Sequence, residues 1–200
     1  MALNAQGYFN ALRSYLNTAH YEVIATEDGK IVLKEKVYFA GNQEKEYKVR
    51  LSAPGETIVI KLDKKNSKGN SDPLFHFLDD TGMPWSKRCD FVIFHFYQNK
   101  INVLIFEFKS NTFPDALIDQ INSTVAWCRA LHSIIKIYTD KSKRLCIKKF
   151  VLSSHPDPAP FLDAAGKYLR RDHTIRHYLY KDINGMSIDA LDNTNVEEIN

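Results

Sequence analysis

Cys89-Asp-Phe-Val-Ile-Phe-His-Phe-Tyr97 and Ile101-Asn-Val-Leu-Ile-Phe-Glu-Phe-Lys109, with only Gln98-Asn-Lys100 between them, decide how this chain is read. Both runs are dense in β-branched and aromatic strand formers, so the segment is a hairpin through the middle of the core. Two charges, Glu107 and Lys109, interrupt the second run. Burying either alone costs several kcal/mol, so each needs a partner or a ligand. Side chains alternate along a strand, which puts Glu107 and Lys109 on one side, about 7 Å apart, and Phe106 and Phe108 on the other. With the turn centred near Asn99, facing residue numbers sum to about 197 to 199, which sets Asp90 opposite the stretch from Glu107 to Lys109. Two carboxylates and one ammonium converge on one patch of sheet. A magnesium ion between the carboxylates would relieve their repulsion. A salt-bridged trio, with Lys109 balancing Glu107 and Asp90 solvated at the strand end, meets the same facts.

Outward from the hairpin, Thr112-Phe-Pro-Asp115 combines a capping residue, an early proline and an acid, and Leu117, Ile121, Val125 and Cys128 recur on one face, which predicts a helix from about Pro114 to Leu131. Leu145 to Ser153 reads as another buried strand, and Pro160 to Tyr180 as one or two helices with a basic side. Upstream, Leu3 to Leu16 has helical spacing, and Tyr21 to Leu62 is a series of short strand-forming runs divided by Asp28-Gly29, Gly41-Asn42 and Pro54-Gly55, an antiparallel β region. Asp63 to Asp72 is wholly polar and is expected to be a mobile loop. There is no internal repeat.

At 200 residues and 23.1 kDa, 44% hydrophobic and 26% charged, the chain fits one globular domain and excludes disordered and fibrous classes. No long apolar run or signal-like start is present, so a soluble, unsecreted protein is expected. Cys89, Cys128 and Cys146 are odd in number and widely spaced, which suits reduced thiols in a cytosol. From Lys136 to Lys181 eleven Lys or Arg stand against four acids, a net of +7, while Asp182 to Asn200 carries five acids and no base. The basic third suits a polyanion such as nucleic acid; an ordinary solvated surface is the plainer reading.

Asp90, a hairpin of apolar strands, then Glu107-Phe108-Lys109 followed at once by a helix resembles the PD-(D/E)xK nuclease superfamily, the restriction endonuclease-like fold, over roughly Trp85 to Ser153. Cys89 stands where that pattern has proline. The resemblance implies a mixed β-sheet flanked by helices, here with a β-rich N-terminal insertion. It implies that Asp90 and Glu107, with the Phe108 carbonyl, bind Mg²⁺ or Mn²⁺, and that Lys109 positions the attacking water. Gln120 is similar to the glutamine that RecB-like members place beside the metal, with Thr124 where those have tyrosine; a plain polar helix position is the alternative. Many members carry an acid on the first helix, whereas here no Asp or Glu precedes Glu22. The implied activity is phosphodiester hydrolysis in DNA, in prokaryotic or phage defence, restriction or repair, with Lys167, Arg170, Arg171 and Arg176 on phosphates and a homodimer or partner subunit to cut two strands. Pairing of those bases with the acidic tail is the alternative. A domain of the same fold that binds nucleic acid or protein without cutting, or an interaction module that docks through Tyr21 to Leu62, are the rival functions.

Remaining signals are weaker. His173 and His177, four apart, read as phosphate-contacting or exposed, and His76 and His95, among aromatics, as packed side chains. Cys128 lies on an apolar stripe and reads as core. Trp85 beside Lys87-Arg88 could stack on a base or plug the start of the hairpin. No glycine-rich phosphate loop occurs.

Overall fold

Gln98 and Asn99 both take left-handed backbone (φ 48° and 58°), so the hairpin closes in a two-residue turn whose twist suits the flanking strands. It joins β5 (Phe91–Tyr97) to β6 (Lys100–Lys109), and Phe91 faces Phe106, a register sum of 197. The turn is therefore one residue shorter than the expected Gln98-Asn-Lys100 spacer. The structure is a computed structural model and describes residues 5–24, 26, 29–39, 43–63, 71–141 and 143–200.

The main sheet is open and mixed. Its order is β1 (Glu22–Ile24), β4 (Glu56–Lys61), β5, β6, β7 (Leu145–Ser153), β9 (Asp172–Leu179) and β8 (Tyr168–Leu169), and β10 (Glu197–Ile199) pairs with the start of β7. Pairing is antiparallel from β1 to β6 and parallel from β6 through β7 to β9. Helix α2 (Ala116–Thr139) makes the crossover between β6 and β7 that parallel strands require. It runs eight residues past the expected Leu131, because Ile135 continues the buried stripe, and stops where Asp140 turns left-handed (φ 51°). At its start Asp115 makes no side-chain cap, contrary to the capping pattern read around Thr112.

Alternation along the strands splits the core in two. Val103, Ile105, Ile147, Val151 and Ile175 face α1 (Ala5–Tyr15) and α2, where the Tyr8 hydroxyl and His132 Nδ1 also meet at 2.7 Å. Ile93, Phe106, Phe108, Phe150 and Leu152 face the other way, onto Ile31, Leu33, Val49 and Leu51. Those last four belong to β2 (Lys30–Phe39) and β3 (Gln43–Ser52), a separate two-stranded ribbon. The β-rich region Tyr21 to Leu62 is thus divided, with β1 and β4 in the main sheet and β2–β3 laid across its back.

Pro160 to Tyr180 is not helical. It holds a single 3₁₀ turn (Ala159–Phe161) and the strands β8 and β9, followed by the short α3 (Tyr180–Ile183). Ile175 and His177 are buried alternately with partly exposed neighbours, a period of two that outweighs the spacing of the charges. The acidic tail ends in the sheet, where Glu197 pairs with Arg129 (2.5 Å) and Lys149 (2.8 Å) and Glu198 with Arg144 (2.9 Å). The Gly41-Asn42 turn and most of the polar stretch from Asp63 to Asp72 lie outside the described residues. No described helix is long and apolar enough to cross a membrane.

Candidate active site

Asp90 stands one residue before β5, so the register that pairs Phe91 with Phe106 sets it across from Glu107. Both side chains are buried, 8% and 2% exposed, on the face that carries α2. The Phe108 amide donates to Asp90 Oδ2 at 2.6 Å, and the Lys109 ammonium pairs with Glu107 Oε1. Glu107 Oε2 is buried with no hydrogen-bond partner. Lys109 also donates to Gln120 Oε1 (3.0 Å), and Gln120 Nε2 donates to the Arg88 carbonyl (3.2 Å). One helical turn on, Thr124 Oγ1 accepts from the Cys89 amide (2.9 Å). Gln120 and Thr124 therefore grip the two residues that lead into Asp90.

The electrostatics follow from burial. Desolvation raises the Asp90 carboxyl well above its usual range, and the charges of Glu107 and Glu35 push the same way. Burial lifts Glu107 to about 7, while Lys109 and the Asp90 amide pull against it. Two carboxylates that resist ionisation together, one of them with an unpartnered oxygen, are chemically suited to a divalent cation. Among the described residues no set of three His, Cys, Asp or Glu side chains closes into a ligand cage. Asp90 and Glu107 bring two carboxylates together, and Mg²⁺ commonly keeps several waters or substrate oxygens beside so few protein ligands.

A third carboxylate escaped the sequence reading. Asp63, just past β4, accepts from the Ser71 hydroxyl (2.5 Å), and its charge helps raise Glu107. The signal was its place at the end of the strand beside β5. Helix α1 carries no acid, and Glu22 is on β1, its backbone paired to Lys61.

The polar row continues across the parallel strands. Lys109 lies beside Ser153 of β7, and Ser153 Oγ shares a hydrogen bond with His177 Nε2 at 2.8 Å. His177 is 5% exposed against Phe113, rather than solvent-facing, and burial followed by the Arg176 charge lowers it to about 4. His173 is exposed, and being four apart on a strand separates the two histidines. His95 is packed as expected, bonded to the Pro54 carbonyl (2.6 Å), but His76 is exposed beside His20. Cys128 is core, and all three cysteines are free. Trp85 sits in a 3₁₀ turn (Pro84–Ser86) and donates to the Asp79 carbonyl at 2.7 Å.

The four bases read as phosphate contacts do not share a helix face. Lys167 precedes β8, and Arg170 and Arg171 form the β8–β9 turn. There the two arginines, with Phe113, Pro114 and Phe161, line a cleft of about 290 Å³. Arg171 pairs with Asp115. Arg176 is held by the Lys167 carbonyl (2.6 Å) and by the rings of Tyr168 and Tyr178. None of them meets the acidic tail in an ion pair among the described residues. Comparisons with protein-family models, with curated proteins and with solved structures found no match.

Proposed function

We propose that this chain is a divalent-cation-dependent nuclease of the restriction endonuclease-like fold that hydrolyses phosphodiester bonds in DNA. The observation that carries the reading is the buried carboxylate pair, Asp90 across from Glu107, with Glu107 Oε2 unpartnered and Lys109 and Gln120 on the same face. Asp90, Glu107 and the Phe108 carbonyl would hold Mg²⁺ or Mn²⁺. Bound there, the cation would lower the pKa of a water and offset negative charge developing on the phosphoryl oxygens. Lys109, steadied by Gln120, directs its ammonium toward the attacking water and the developing oxyanion. The Phe108 amide holds Asp90 in place, and Thr124 and Gln120 fix the backbone that delivers it. Lys167, Arg170 and Arg171, all exposed, supply phosphate contacts. Defence, restriction or repair, and a homodimer to cut two strands, remain the biological setting of this proposal.

A second reading has its own support. Lys109 already balances the charge of Glu107 through Oε1, so the same fold could bind nucleic acid or protein without cutting. Calorimetric titration of Mg²⁺ and Mn²⁺ separates the two. The nuclease reading expects saturable binding that Asp90→Asn abolishes; no heat of binding from either ion in the presence of DNA would leave the non-cutting domain.

A further inference from the structure

The β2–β3 ribbon shows two unlike faces. Ile31, Leu33, Val49 and Leu51 are buried against the sheet, so alternation puts five bases, Lys30, Lys34, Lys36, Lys48 and Arg50, on the outward side against two acids, Glu44 and Glu46. The register sets Lys34 directly opposite Lys48 and places Arg50 one pair further on, opposite Val32. Like charges across an antiparallel pair are destabilising. Among the described residues none of Lys30, Lys34, Lys48 and Arg50 makes an ion pair. Lys30, Lys34, Lys48 and Arg50, without ion pairs on an exposed strand pair, are charges that a polyanion would neutralise.

We propose that the outward face of this ribbon is the surface that seats in the major groove of duplex DNA. A B-form major groove, about 12 Å wide, admits a two-stranded ribbon, whereas the deep, narrow groove of duplex RNA does not. The ribbon is also tied to the candidate site through its inner face. Tyr47 stacks on Tyr180 with ring centroids 4.2 Å apart, and the Tyr180 hydroxyl donates to the Lys109 carbonyl at 2.8 Å. The Tyr47 hydroxyl donates to Ser154 Oγ at 2.7 Å, and Glu35 pairs with Lys61 at 2.9 Å. Charge on the outer face is thereby held at a fixed offset from Lys109, which a device for positioning a duplex requires. Of the other bases, Arg171 is paired with Asp115 and Arg176 on β9 is enclosed by tyrosines. The inference takes from the proposed function only that the ligand is nucleic acid.

The test measures binding without divalent cations, so cleavage plays no part. Fluorescence anisotropy across a salt series would compare the whole chain with Lys34→Ala/Lys48→Ala and with Arg50→Ala on a mixed-sequence DNA duplex of about 25 base pairs, the matching single strand and the matching RNA duplex. The double variant is expected to lower the DNA-duplex salt slope by about 1.8, or about 0.9 per lost phosphate contact, and to weaken binding about tenfold at moderate salt. Its melting temperature should be unchanged or raised, because a like-charge pair is removed. Unchanged affinity and slope in both variants, or equal binding to duplex RNA, overturns the inference. Slope-dependent duplex binding by a chain that never cuts with Mg²⁺ would keep the inference and reject the nuclease. Cutting with no ribbon dependence would do the reverse.

Discussion

Glu107 concentrates the physics of this molecule in one side chain. It is buried in a strand, bonded through one oxygen and unpartnered through the other, and it shares its surroundings with a second carboxylate. Such a group is costly to a structural protein, because an apolar residue of similar volume would fill the same place without the desolvation penalty. His177 has the opposite polarity and yields a pH prediction. It ordinarily titrates near 6.5 and is lowered to about 4 by burial, so the folded chain binds fewer protons than the unfolded chain between those values. Stability from this group is therefore fully present above pH 6.5 and is lost as pH falls toward 4, on the order of 3 kcal/mol. Thermal melting of wild type against His177→Gln should show the wild type losing ground over that window; a constant difference from pH 7 to 4 would refute it. Of these residues, Asp90, Glu107 and Lys109 could be read from strand alternation and one turn. Ser153 and His177 could not, since their meeting depends on parallel pairing between distant strands.

At the scale of elements, turns and register decide what the side chains can do. The two-residue turn at Gln98-Asn99 fixes the sum at 197 and with it the partner of Asp90. Gly55 does similar work where β4 begins. Its φ is +83°, and a Cβ there would lie 2.4 Å from the Phe96 carbonyl oxygen, backbone that cannot step aside. Gly55→Ala is expected to cost more than ~1 kcal/mol, read as a lower midpoint in urea, while what remains folded keeps the binding and chemistry of the parent. An unchanged midpoint would mean that the turn relaxes freely. The segment from Pro160 to Tyr180 shows where reading by pattern fails. Charges three and four apart suggest a helix face, but Tyr168, Ile175 and Tyr178 are strand formers, and pairing of β9 with β7 on one side and β8 on the other satisfies their backbone. Helix α2 was identified from its apolar stripe, and its length was missed because the later turns are exposed at Ile134, Ile137 and Tyr138.

The whole molecule is a mixed sheet with helices on one face and a ribbon on the other, and the buried carboxylates Asp90 and Glu107 lie together at the end of the sheet where β6 gives way to α2. The hairpin, the crossover helix and β7 were all readable because each is long and strongly patterned. The separation of β2–β3 from β1 and β4 was not, since short alternating runs do not say which sheet they join. The proposed activity requires that Asp90, Glu107 and Lys109 form a working centre. The most direct measurement incubates the purified chain, Glu107→Gln and Lys109→Ala with supercoiled plasmid, single-stranded DNA and RNA, each with Mg²⁺ and with chelator. The wild type is expected to cleave DNA with Mg²⁺ only, and both variants are expected to lose at least about a hundredfold. Full activity in either variant, or cleavage that persists in chelator, would contradict this expectation.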